Sequence, residues 1–282
     1  MINLLKVDFK RVIKDKLFLV MCIVAGAFAL ATPLLYVGIF SLMGADFGDA
    51  ESMIELMGMD INAKSMFFSS FSLGNNLGLV VPVLLTIVLC KDYTQGTVRN
   101  KIIGGSARTP IFLSTCVVCF CVLFGIMLAH ALLTLIVSLC FFPFQATAFG
   151  IADLGYFMLS LLLEALLFAF VAALVSYLCV SVKNMGIAIV AYIAIAMIMS
   201  IVSTILQLGI ALLPLASTGV SEVALNVLEF IQDINVFNFG TVIGVGTEYT
   251  TREILCCILS PIVFGGAFVA LGIYKFNRKD LK

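Results

Sequence analysis

Apolar positions run along this chain in blocks too long for a soluble fold. Between one ionised side chain and the next lie six stretches: 17–45, 65–90, 109–152, 154–182 (broken only by Glu164), 184–221 and 254–274. A helix of about 20 uncharged residues crosses ~30 Å of hydrocarbon. In that medium a helix also satisfies every backbone N–H and C=O within its own segment. Each stretch therefore predicts a transmembrane helix, at 17–40, 67–90, 111–142, 154–180, 186–213 and 254–274. The stretch 109–152 has room for two short helices, but no turn cluster divides Ile111 from Phe142, so one tilted helix ending near Pro143 is expected.

Two shorter segments show helical periodicity of another kind. In residues 1–16, Ile2, Leu5, Phe9 and Val12 recur at spacings of three and four while Lys6, Lys10 and Lys14 line a different face. That pattern predicts an interfacial amphipathic helix lying on the membrane surface, with a solvated extension of the first span as the plainer alternative. Between the fifth and sixth spans, Val223, Val227, Phe230, Ile231 and Ile234 predict a short helix in the outer interface or re-entering the protein. Pro214 is expected to stop the fifth span. The remaining long segment, 41–64, is acidic and carries Met53, Met57 and Met59. With no repeat, low-complexity tract or separate soluble part, residues 1–282 read as one transmembrane domain of the all-α membrane class.

The sparse charges orient the bundle. Sorted to alternate sides, 14 of the 16 Lys and Arg fall on one face, including Lys6, Lys10, Arg11, Lys14, Lys16, Lys91, Arg99, Lys101, Arg108, Lys183, Lys275 and Arg278. The opposite face holds only Lys64 and Arg252 against eleven carboxylates. The positive-inside rule makes the first face cytoplasmic, giving an N-in, C-in chain in a plasma membrane. A cleavable leader is not expected, because the first apolar run continues past Ala31 to Phe40.

Composition adds exclusions. Hydrophobic types make up 62% of the chain and charged types 11%, against roughly 45–50% and about 25% in soluble domains. Net charge is zero, so electrostatics offers nucleic acid no attraction. All nine cysteines lie in or beside the spans, which implies no extracellular disulfide framework. The chain has no GxxxxGK[ST] loop and no GxSxG, and its only histidine is His130, so a phosphate-cradling site, a hydrolase elbow and a two-histidine zinc motif are all missing. Cys116 and Cys119 share a helical face but Cys121 points elsewhere, and the Met53–Met59 cluster has no histidine beside it. No catalytic, cofactor-binding or metal-ligating set is expected.

Glu164 is the one acid within a span. A carboxylate near the bilayer centre costs on the order of 3 kcal/mol on insertion scales. Two readings stand for it: a functional ion or proton site, or a neutral acid hydrogen-bonded between helices. His130 is its candidate partner across the third and fourth spans.

The cytoplasmic loop 91–110, within LCKDYTQGTVRNKIIGGSARTPIFLS, is short, polar and compact. Gly96-Thr97 offers a tight break, Arg99 and Lys101 follow on a short helical stretch, and Gly104-Gly105 ends it before Arg108. This segment resembles the intracellular loop of ABC-2 type permeases, the membrane subunits of many bacterial ABC exporters. In that family an acid stands four residues before Gly-Thr, then come a basic and apolar stretch, a small residue and Arg before the third span. Asp92, Gly96, Thr97, Arg99 and Arg108 match, although family members often have Glu at the position of Asp92. The likeness in topology extends over most of the chain.

What the resemblance implies is a six-helix permease without a nucleotide site of its own. It is not itself an enzyme, and its ATP is bound by a separate cytoplasmic ATPase subunit. A second copy or a related permease completes the pathway, and the 91–110 loop couples to the ATPase. The apolar spans favour an amphiphilic cargo, and the resemblance implies that it can be peptide-like. An ion-coupled secondary transporter using Glu164 and a non-transporting membrane scaffold are the competing classes.

Overall fold

A computed structural model describes residues 2–42, 62–70, 73, 76–144, 150–182, 184–216, 222–238 and 249–278. Ten α-helices and one 3-10 turn account for almost all of them, and no strand occurs among the described residues. Six helices are long and apolar enough to cross a membrane: α2 (Lys16–Leu42), α4 (Asn76–Thr94), α6 (Arg108–Ser138), α7 (Ile151–Ser181), α8 (Met185–Ala216) and α10 (Thr251–Arg278). The protein is therefore an all-α, multi-pass membrane protein. The short helices are α1 (Ile2–Lys14), α3 (Ala63–Ser69), α5 (Thr97–Ile103) and α9 (Glu222–Ile234), followed by the turn Val236–Asn238.

Helices α4, α6 and α7 are more than half buried along their apolar windows and form the interior, whereas α2, α8 and α10 are about one-fifth buried and stand outside them. Between lipid-soaked helices association rests on close packing, which small residues permit. Such a contact joins α7 to α10, where a Cβ at Gly265 would lie 3.5 Å from the Phe170 backbone. Polar side chains within the spans mostly satisfy themselves on the preceding turn. Thr115, Thr134, Ser138 and Ser160 each donate to the carbonyl four residues back, at 2.7–3.0 Å.

Several expected boundaries shift. The predicted span 67–90 is two elements, because residues 63–69 form the separate helix α3. Asn62 starts it with a capping box: its Oδ1 accepts from the Ser65 N–H at 2.8 Å, and Ser65 Oγ accepts from the Asn62 N–H at 3.1 Å. Backbone bonds to Pro143 and Phe144 pin α3 to the end of α6, and Phe67 and Phe68 pack on Phe157. The weak helix formers Ser70, Ser72, Gly74 and Asn75 lie between it and α4. The stretch 109–152 carries one continuous crossing helix, α6, which stops at Ser138, four residues short of the expected end. Pro214 does not stop the fifth span, since α8 runs on to Ala216.

The amphipathic segment 222–234 is helical, with Val223, Val227, Phe230 and Ile231 exposed on its outer side. Arg252 of α10 clamps it through Glu229 at 2.9 Å and Asp233 at 2.8 Å. Burial pushes the Asp233 carboxyl above the usual carboxylate range, and Arg252 opposes the shift. Met53, Met57, Met59 and Lys183 lie outside the described residues.

Candidate functional site

The functional residues expected in the 91–110 loop sit in a charged block where α1, the end of α4, α5, the start of α6 and the end of α10 meet. Gly96 begins α5 in the left-handed region at φ 73°, and Gly105 leaves it at φ 88°. Both angles suit glycine and penalise a side chain. Between them the helix buries Val98, which joins Ile111, Phe112, Val180 and Phe276 in a compact apolar cluster.

The ion pairs hold α1 against this loop. Asp92, buried at the end of α4, receives Arg11 of α1. Asp8, also buried, receives Lys101 of α5 and accepts a hydrogen bond from Ser114 Oγ at 2.8 Å. Asp15, at the elbow between α1 and α2, pairs with Lys91 at 3.1 Å and accepts from the Leu17 N–H at 3.0 Å. Burial works to raise the Asp15 carboxyl, but the Leu17 N–H and the Lys91 ammonium outweigh it and hold the group below the usual carboxylate range. Three cations and three carboxylates from two distant segments thus form one unit.

A second joint ties the loop to the last helix. Arg108 Nη1 donates to the carbonyls of Phe276 at 3.2 Å and Asn277 at 2.8 Å, capping carbonyls left over at the α10 terminus. The Tyr93 and Phe112 rings pack on Phe276 with centroids 6.2 and 6.4 Å away. Gly272 supplies the notch for Phe112, because an added Cβ would collide with that ring.

Of the five loop residues singled out in the sequence, Asp92 and Arg108 anchor the block, and Gly96 and Thr97 start its short helix. Arg99 does not join them. It is exposed and makes no ion pair among the described residues, on a surface it shares with Asn100 and Ile103. The residues that sequence reasoning missed are Asp8, Arg11, Asp15 and Ser114. Asp8 and Arg11 share one face of α1, and Asp15, seven residues after Asp8, continues that line at the elbow just beyond the helix, and that spacing was the available signal. The inward stripe accordingly runs through Leu5, Asp8 and Val12, while Phe9, assigned to the same apolar face, is exposed.

Glu164 and His130 do not meet. His130 is buried, and its Nδ1–H donates to the Ala25 carbonyl of α2 at 2.9 Å. Glu164 lies fully buried near the middle of α7, and neither carboxyl oxygen has a hydrogen-bond partner among the described residues. One turn earlier Ser160 Oγ lies 2.6 Å from the Tyr249 hydroxyl. Burial raises the Tyr249 phenol above its ordinary value, and the Glu164 carboxyl adds to the rise.

The intramembrane thiols are arranged by tertiary packing instead of by the C-x-x-C-x-C spacing. Cys90 of α4 and Cys179 of α7 touch at 3.2 Å, whereas Cys121 is exposed on the far side of its helix. No group of three or more metal-ligating side chains occurs among the described residues.

Six crossing helices with a charged block at one end define the class, a multi-pass membrane protein. Comparison with known proteins does not narrow it: no family profile matches the chain, and no curated protein is significantly similar to it.

Proposed function

We propose that this chain is the permease subunit of an ATP-driven ABC-2 type exporter in a bacterial plasma membrane, working with a separate cytoplasmic ATPase and a second copy or related permease. The observation that carries the reading is the charged block. A loop coupled to an external motor must move helices as a body, and here Asp92, Lys101 and Arg108 join the loop to α1 and α10 through buried or backbone-directed bonds. Arg99 and Ile103 stand on the outer surface of that block, open to a partner. The excess of Lys and Arg on these segments supports an N-in, C-in orientation, with the block cytoplasmic and α1 at the inner interface. An amphiphilic or peptide-like cargo suits the apolar spans.

The test is co-purification with the proposed ATPase subunit, sought as a Walker A chain encoded next to this one, followed by transport and ATP hydrolysis in vesicles. R99E with I103S is expected to uncouple hydrolysis from transport while insertion and folding persist. Coupling that survives both changes overturns the loop's role. Transport without any ATPase overturns the proposal as a whole.

Glu164, buried with no hydrogen-bond partner among the described residues, favours one second reading, a gradient-driven transporter with its ion or proton site on α7. Under that reading Glu164→Gln abolishes uptake driven by a proton or sodium gradient. Under the ATP-driven reading there is no such uptake to lose.

A further inference from the structure

A groove of about 350 Å³ opens on the flank of the bundle between α1, α2 and α6. Its floor is made low by Ala25, Gly26, Gly125 and Ala129, and Phe9 and Ile13 of α1 stand at one end. Both glycines face open space, with no atom within 4 Å of an added Cβ. The lining is apolar apart from His130, whose Nδ1 is already committed to the Ala25 carbonyl. Leu133 of the lining is exposed, as are Leu19 and Ile23 of α2 and Val117 of α6 on the same helices. Groove volume and lining match those of small-ligand sites, which are 300–1,000 Å³ and mostly apolar with few polar groups.

The charge at the α1 end identifies the occupant. At 100° per residue, Lys6 and Lys10 lie on the side of the Phe9–Ile13 stripe turned away from Asp8 and Val12, three residues before Phe9 and Ile13 respectively, and Lys14 follows one turn after Lys10. All three are exposed and make no ion pair among the described residues. The two acids of this segment, Asp8 and Asp15, are turned inward and held by Lys101 and Lys91. Pairing on the inner face therefore leaves Lys6, Lys10 and Lys14 unopposed by any acid of α1 on its outer side, next to Phe9 and Ile13, which line the groove.

We propose that the α1–α2–α6 groove is a binding site for one anionic phospholipid, its acyl chain lying on the Gly26–Gly125 floor and its phosphate held by Lys6, Lys10 and Lys14. The site rests on the chain's being a membrane protein and is independent of what drives transport.

The chain contains no tryptophan, so one introduced residue is an unambiguous reporter. Full-length F18W, lining the groove, and L208W, on the exposed side of α8, are reconstituted in phosphatidylcholine. Tail-brominated phosphatidylglycerol or tail-brominated phosphatidylcholine is then added at low mole fraction, and quenching is read. At position 18 the anionic lipid is expected to quench preferentially, by a factor of about five for each lysine engaged, while position 208 shows no headgroup preference. K6Q/K10Q/K14Q in the F18W background is expected to remove the preference. Gly125→Leu, with Gly26→Leu as an independent filling of the same floor, is expected to remove it with every lysine intact, and an unchanged L208W signal shows that these variants fold. Equal quenching by both headgroups at position 18, or a preference that survives both fillings, overturns the proposal. Shielding of position 18 from both lipids also overturns it, because a second protein chain then covers the groove.

Discussion

Removing Asp8 is expected to release α1 far more than removing Asp15, although both acids anchor the same helix. The Asp8 and Lys101 side chains are 3% and 12% exposed, and Asp8 also receives the Ser114 hydroxyl. Asp8→Ala leaves a buried ammonium without its partner, a change that costs about 3–5 kcal/mol. Asp15 and Lys91 are 23% and 33% exposed, where solvent screening limits a pair to about 0–1 kcal/mol. Hydrogen exchange of the α1 amides in reconstituted protein reads the difference, because local opening sets their rate. Asp8→Ala is expected to accelerate exchange by roughly a hundredfold or more, and Asp15→Ala by about fivefold at most. Replacing the whole pair, as D8L/K101M, is expected to restore most of the protection, since an apolar substitute of similar volume carries no unpaired charge. Ser114 then turns to the carbonyl of the preceding turn. Equal acceleration by the two single substitutions, or no recovery in the double variant, refutes the reasoning that burial decides the strength of these pairs.

The elbow at Asp15 gives a pH signature. Its carboxyl is held below the ordinary value in the folded chain, so its stabilisation is present above the unfolded value, near ~4, and is lost as pH falls through the lower folded value. Exchange protection at the α1–α2 elbow is expected to be flat above about pH 5 and to fall in acid, and Asp15→Asn is expected to abolish that fall. At the last helix, Gly272→Val drives a side chain into the Phe112 ring, and overpacking of this kind costs about 1–3 kcal/mol. Gly266→Val, where nothing lies within 4 Å, serves as the control. The thermal midpoint in detergent should drop for the first substitution and hold for the second.

How much of this was legible in the chain follows from the range of the forces involved. Crossing helices are dictated locally: a long uncharged run has only one way to satisfy its backbone in hydrocarbon, so α2, α6, α7, α8 and α10 follow from counting between charges. Helix α9 also follows, from periodicity alone. The division of 65–90 was harder to see. A run of apolar residues is equally compatible with one helix or with a capped turn beside another, and the Asn62 cap together with its bonds to Pro143 and Phe144 decided between them.

Gly96 and Arg108 stood out by their local pattern and Asp92 through the family resemblance of the loop, but their partners did not. Arg11 and Asp92 are 81 residues apart, Asp8 and Lys101 93, and Arg108 and Asn277 169. No propensity or spacing rule acts over such separations. Only the packed helices choose which cation meets which carboxylate, and the same packing leaves Glu164 without a hydrogen-bond partner among the described residues, turns His130 toward Ala25 and bares the lysines of α1. The sequence alone determined that this protein lives in a membrane and, to within a few residues, five of its six crossing helices. Its tertiary structure decided which of its few charges are joined, because pairing energies depend on burial and distance, and those exist only once the chain has folded.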